Sequence, residues 1–209
     1  MSEVKAQLDR AIKAMTAPPY AAELEACRKA YFGITGEVFE DDPSFELRMI
    51  LFIEWFLLER PLARGVVPMR AYLEEHGEGM TPGDRQVTEA LLHHQHGLFS
   101  VRKARPPVLT IKDLWNGKLV RVDAGDLARS FQAGDLLDAR LVRLPGRTCL
   151  TEGVLCHPPE AEKYIKAEVK AIRKGGAAGP EELALTLAGM LLKFERYRGI
   201  KPENIYRSD

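Results

Sequence analysis

The densest cluster of chemistry-bearing side chains in this 209-residue chain is His93-His94-Gln95-His96. Successive helical residues point about 100° apart, so on a helix His93 and His96, at i and i+3, share a face, while His94 follows Val87 and Leu91 onto the apolar one. A zinc site needs a further ligand, and the run lacks the glutamate of HExxH, which serves a metalloprotease as its base. The chain is therefore expected to hold no metal. His93 and His96 are the nearest approach to a ligand pair, and His94 is read as a hydrogen-bonded boundary histidine.

Other reactive side chains fall in structural contexts. Cys156 and His157 are sequence neighbours, whereas catalytic Cys-His pairs meet across a fold. Cys149 and Cys156 lie in strand-like segments and are predicted to be small buried apolar groups. The acidic run Glu40-Asp41-Asp42 offers paired carboxylates, but Asp42 precedes Pro43 and is predicted to cap a helix. There is no GxSxG elbow, phosphate-binding loop or GxGxxG fingerprint. No catalytic residue and no cofactor is expected. Three widely spaced cysteines without a CxxC pair indicate neither a disulfide framework nor a thiolate zinc site, and fit a reducing cytoplasm.

Charge is more informative. The chain is neutral overall, but residues 1–97 hold 10 basic and 16 acidic side chains, whereas residues 98–157 hold 10 basic and 6 acidic. Within the basic part, Asn116-Gly117 is a strong short hairpin signal. A two-residue turn there would pair Ile111 with Val122 on one face, and Lys112 with Arg121 on the other. Two cations facing each other cost about 0.2 to 1 kcal/mol unless offset, and Asp123 is placed to supply the offset. An anionic partner would do so too. Lys112 and Arg121, with Arg140 nearby, are thus the candidate partner- or anion-binding residues.

The elements that would carry these side chains follow from periodicity. Val4, Leu8, Ala11, Ile12 and Met15, then Leu24, Cys27 and Tyr31, fall at helical spacing. From Phe45 to Leu58 almost every face is apolar, which predicts a central helix that others pack against. Its most apolar stretch is interrupted by Glu54 and is too short to span a bilayer; no membrane segment or signal-peptide core is expected. Pro68 to Glu75 predicts a short helix, and Thr81-Pro82-Gly83-Asp84 a capped start for one reaching about His96. Beyond Gly97 the period becomes two: Phe99 and Val101, Leu109 and Ile111, Val120 and Val122, then Leu137, Ala139 and Leu141.

After His157-Pro158-Pro159, helical spacing returns with Tyr164, Ile165, Val169 and Ile172, then with Leu183, Leu187, Met190, Leu191, Phe194 and Tyr197. The predicted architecture is α+β. A helical domain (1–97) precedes a small antiparallel β-barrel or curled sheet (98–157), then C-terminal helices (158–209) with a glycine-rich joint at 175–180.

The segment 113–159, with Asp113-Leu114, Asn116-Gly117, Gly134-Asp135-Leu136-Leu137, Ala139-Arg140-Leu141-Val142 and His157-Pro158-Pro159, resembles a domain of uncharacterised bacterial proteins. Some of those proteins also carry a SEC-C zinc motif, whose cysteines are absent here. The resemblance implies a barrel and carries no chemistry with it. PilZ domains are also small barrels, and bind cyclic di-GMP through an RxxxR pair and a [D/N]xSxxG turn. Here Arg102 and Arg105 are one residue too close, and Ala128 and Ser130 do not complete the turn.

The expected function is that of a non-enzymatic cytoplasmic interaction or regulatory protein. It would engage a protein partner through the basic barrel surface or the amphipathic C-terminal helix; the 181–197 stripe is also where a homo-oligomer would form. One alternative is nucleic-acid binding by the barrel, with Phe99, Trp115 and Phe131 as stacking groups. An enzyme of unassigned chemistry is a further one.

Overall fold

Residues 2–175, 179–197 and 199–206 are described by a computed structural model; residues 176–178, the middle of the expected joint, lie outside them. The N-terminal part forms helices α1 (Glu3–Met15), α2 (Ala21–Thr35), α3 (Phe45–Leu58), α4 (Pro68–His76) and α5 (Pro82–Leu92). The Ser2 hydroxyl caps α1 by accepting the Lys5 N–H at 3.1 Å, and Thr81 caps α5 through the Asp84 N–H at 3.1 Å, with Pro82 at the first helical position. Asp42 has another task than the one expected. Ser44 occupies the N-cap of α3, while the Asp42 carboxylate accepts the Phe39 N–H at 2.8 Å and pairs with Arg196. Those bonds hold its carboxyl down at a pKa of about 2.

Helix α5 stops at Leu92, where the His93 N–H turns back to the Ala90 carbonyl at 3.2 Å. Strand β1 (Gln95–Arg105) begins two residues before the expected change of period and is followed by β2 (Val108–Asp113), β3 (Leu119–Asp123), β4 (Leu136–Leu144), β5 (Arg147–Leu150) and β6 (Leu155–His157). The sheet runs β1-β2-β3-β5-β4-β6, and β1 also pairs with β4. Five strands therefore close into a barrel, with β6 added on β4. Pairing is antiparallel except for one parallel contact, Asp123 opposite Cys149, so the barrel is mixed rather than purely antiparallel. One long strand serves both neighbours because its two halves do different work: residues 95–100 pair with β4 and residues 99–105 with β2, with a register shift between Val101 and Lys103. The closure therefore runs β1-β2-β3-β5-β4 and back to β1, with β3 and β5 parallel.

The β2–β3 hairpin corrects the expected register. Ile111 faces Val120, Lys112 faces Leu119, and Arg121 faces Thr110. A two-residue turn at Asn116-Gly117 would leave Trp115 in the ladder. Instead the chain closes at Asp113, whose N–H bonds the Lys118 carbonyl at 2.9 Å, leaving the four-residue loop 114–117. The buried Asp113 carboxylate organises that loop, accepting the Trp115 N–H at 2.7 Å and the Asn116 side-chain amide at 2.6 Å, while Gly117 takes φ +76°. A shift of two residues keeps every side chain on its expected face but separates the two cations, so Lys112 and Arg121 are diagonal rather than opposed.

Inside the barrel lie Phe99, Val101, Leu109, Ile111, Val122, Leu137, Ala139 and Leu141. Outside it, β4 is covered by helices: Val142 and Leu144 join the core built on α1–α5, while Leu136 joins one shared with α6 (Glu162–Arg173), α7 (Pro180–Arg196) and Tyr206, which follows α8 (Pro202–Ile205). Helix α7 spends its stripe in this packing, with Leu183, Leu187 and Leu191 buried and Tyr197 left exposed. It lies close against α2, where a Cβ at Gly189 would come within 3.0 Å of the Ile34 carbonyl oxygen. No helix among the described residues is long and apolar enough to cross a membrane.

Trp55, 7% exposed, stacks at 5.3 Å on Tyr31 in the main helical core. Replacing it by alanine is expected to cost about 3 to 5 kcal/mol, as large-to-small core changes do. Urea unfolding monitored by circular dichroism measures this; a near-neutral result would place α3 at the periphery.

Candidate functional site

Two concentrations of charge remain once the fold is in place, and they differ in access. The first is buried. On β4, Asp138 and Arg140 project away from the barrel interior, toward the end of α3. The Arg140 side chain is 2% exposed; its Nε donates to Glu59 at 2.6 Å and its Nη1 to Glu54 at 3.3 Å. Glu54 also accepts the Thr151 hydroxyl at 2.8 Å and the Gly153 N–H at 2.9 Å. From β1, His96 places Nε2 2.6 Å from Asp138 and Nδ1 3.1 Å from Glu59. Helix, barrel and the β5–β6 loop are thus joined through one cluster of three carboxylates, a guanidinium and an imidazole.

The electrostatics follow from that enclosure. Burial and the nearby Arg140 charge push the His96 pKa down, but Asp138 and Glu59 outweigh them and raise it to about 9. Burial raises the Glu59 and Asp138 carboxyls, yet the adjacent Arg140 and His96 charges hold both below the usual range. His157 behaves oppositely. Enclosed with its Nδ1 3.2 Å from the Tyr206 hydroxyl and its Nε2 unpartnered, it is pushed down by burial to about 4.

These positions revise several expectations. Arg140 belongs to the interior and is not available to a partner. His93 is an exposed residue at the end of α5 and His96 a strand residue, so the shared helical face does not exist. Among the described residues no group of three or more His, Cys, Asp or Glu is arranged to hold a metal. His94 does sit at a boundary, its Nδ1 2.9 Å from the Leu91 carbonyl. Phe99 fills the barrel and cannot stack on a ligand, and Trp115 and Phe131 are half-buried. Cys149 is buried as expected, whereas Cys156 is exposed because its β6 position points away from the core.

The second concentration is open to solvent. A cleft of about 550 Å³ runs between the outward face of β1 and β2 and helix α6, lined by Arg102, Lys112, Lys166, Lys170, Arg173 and Lys174. Ser100, Leu114 and Val169 contribute to its lining between them. Alternation on β1 and β2 turns Arg102 and Lys112 outward, because Val101 and Ile111 point into the barrel. On α6 the buried Ile165 and Val169 fix the orientation, so Lys166 and Lys170, with Lys174 just past the helix end, share an edge about 100° round from them.

The carboxylate in the lining, Asp113, is engaged by Gln95, Trp115 and Asn116. Lys166 pairs with Glu162 on its own helix. Among the described residues, Arg102, Lys112, Lys170, Arg173 and Lys174 make no ion pair. The acidic helical part therefore does not neutralise this surface; its principal buried link to the barrel is through Arg140. Arg121 lies on the same outward face as Lys112 but outside the cleft lining. Of the three expected residues, then, the structure places one in the cleft. Lys166, Lys170 and Arg173 of α6 and Lys174 just beyond it were missed, although their spacing beside Ile165 and Val169 was visible.

Residues 29–184 match the model of a family of unknown function (DUF7986). No curated protein and no solved structure matches the chain.

The two buried histidines make stability depend on pH from both sides. The folded pKa of His96 lies above its ordinary 6.5, so its contribution is complete below about pH 6.5 and is lost as pH rises through about 9. His157 has a depressed folded pKa, so its contribution is complete above about pH 6.5 and is lost as pH falls through about 4. Each limb is worth about 3 kcal/mol at the standard conversion. Urea midpoints between pH 4 and 9 are expected to peak near neutrality, and His96→Gln to flatten the alkaline limb alone; an unchanged alkaline limb in that variant would contradict the assignment.

Proposed function

The chain belongs to the DUF7986 family, and since that membership brings no activity with it, we propose from the geometry that it is a non-enzymatic binding protein that holds a polyanionic partner in the β1–β2/α6 cleft. The observation that carries this reading is the five cations of one cleft that, among the described residues, make no ion pair. Like charges brought together without internal partners repel one another, a cost that an anionic ligand converts into attraction.

Two further facts support it. The perturbed acid and base groups His96, Asp138, Glu59 and Arg140 are enclosed and paired with one another rather than directed into the cleft, which favours a structural role for them over a catalytic one. The closure order, with β3 and β5 parallel, is similar to that of oligonucleotide/oligosaccharide-binding (OB) barrels, which bind their ligands on the strand 2–3 face and adjoining loops; a fold hosts many functions, so this analogy ranks below the charges. Three free cysteines suit a cytoplasmic setting. Of the two surfaces read from the sequence, the α7 stripe is largely used in internal packing, which directs the proposal to the basic face.

Heparin-agarose, a generic polyanion, tests the cleft. Wild-type protein is expected to be retained, and Lys112→Glu combined with Lys170→Glu to weaken binding by on the order of tenfold or more. Lys13→Glu combined with Lys29→Glu, exposed charge reversals on α1 and α2, is the control for net charge. Elution of the double variant at the wild-type salt concentration would refute the site.

A further inference from the structure

The polyanion can be specified further on the premise of that cleft. We infer that its occupant is a single nucleic-acid strand, held by its phosphates along the α6 edge and the β1–β2 face. The cations are strung out rather than convergent. Lys166, Lys170 and Lys174 follow one another at four-residue steps, about 6 Å of helix rise each, close to the separation of successive phosphates along a strand. Opposite them stand Arg102 and Lys112. The basic face then continues outside the cleft, with Lys103, Arg105 and Arg121 exposed on the outward side of β1 and β3. A compact anion such as one phosphate would use none of this length.

The cleft also distinguishes between kinds of polymer. Leu114 and Val169 give its lining an apolar component between the two cationic edges, and Leu119, opposite Lys112 on β3, is 65% exposed. A strand can place phosphates on the edges and base faces on these apolar groups. An acidic polypeptide satisfies the edges alone. A duplex has its bases stacked inward and offers no base faces to these apolar groups. With Phe99 inside the barrel, recognition rests on backbone charge and apolar contact, and is indifferent to sequence.

The test uses the full chain with fluorescein-labelled 15-nucleotide oligo-dT and oligo-U, the same oligo-dT annealed to its complement, and poly-glutamate of similar charge. Affinities are measured by anisotropy from 50 to 200 mM salt. Five phosphate contacts give a log–log salt slope of about −3.5 for a single strand, and Lys112→Gln combined with Lys170→Gln brings it to about −2. Both substitutions are on solvent-facing side chains, so an unchanged thermal melt certifies the fold. Tighter binding of oligo-U than oligo-dT would assign the strand to RNA, the reverse to DNA, and either supports the inference. Poly-glutamate or duplex binding as tightly as the single strands would overturn it while leaving the anion site intact. Absence of binding by every polyanion would overturn both, and a slope that the double variant does not change would remove the strand from this cleft.

Discussion

Arg140 is the residue on which the arrangement of this molecule turns. A guanidinium removed from water is tolerable only if carboxylates and hydrogen bonds replace its hydration, and Glu54 and Glu59 on and just beyond α3 do so. The requirement runs in both directions, because Glu54 is itself 3% exposed inside a largely apolar helix and would be costly without Arg140, Thr151 and Gly153. Apolar packing alone would let α3 slide or rotate over the outside of β4. Directional bonds from three elements leave one seating. Gly153 shows how tightly that seating is made, since a Cβ there would come within 2.6 Å of a Glu54 carboxylate oxygen.

That bond set also accounts for what the amino-acid pattern concealed. Alternation along β4 correctly separates Leu137, Ala139 and Leu141 from Asp138 and Arg140, but it reports which face a side chain takes and not what covers that face. Two signals of a covered face were present: Leu136, Val142 and Leu144 make β4 apolar on both sides, as expected of a doubly buried strand, and Glu54 interrupts an almost wholly apolar helix. Each is ambiguous alone, and only their meeting in space gives Arg140 its role. His96 is similar. Its spacing from His93 is informative only if the helix continues, and α5 ends before it does.

Elements were legible where local rules govern them. The α1 and α5 starts, the α3 core and the inward faces of β1–β4 follow from caps and periodicity. The hairpin register was not, because the competition between an Asn-Gly turn and a loop organised by the Asp113 side chain is settled by the half-burial of Trp115 beside Gly97. The cleft was half legible: alternation and the basic composition of residues 98–157 point to Lys112, but its other edge comes from a helix more than fifty residues further on. Carboxylates of the acidic N-terminal part meet barrel cations at the buried Arg140 and, on the surface, at Arg147, which pairs with Glu3. The cleft cations that make no ion pair among the described residues lie on a different sector of the barrel's outer surface, over β1 and β2 rather than β4.

The bond between Glu54 and the Gly153 N–H spans 99 positions of the chain. At translation rates of 5 to 20 residues per second, roughly 5 to 20 s pass between the synthesis of these two partners. During that interval α3 exists as a nearly all-apolar helix whose carboxylates have no counter-ion from the barrel, and the surface destined for β4 is open. Birth of the protein thus passes through a nascent stage whose hazard is set by topology, not by the stability of the finished fold. The segment that waits lies in the first third of the polypeptide, and its ionic and hydrogen-bond partners exist only once β4 and the loop after β5 have been made.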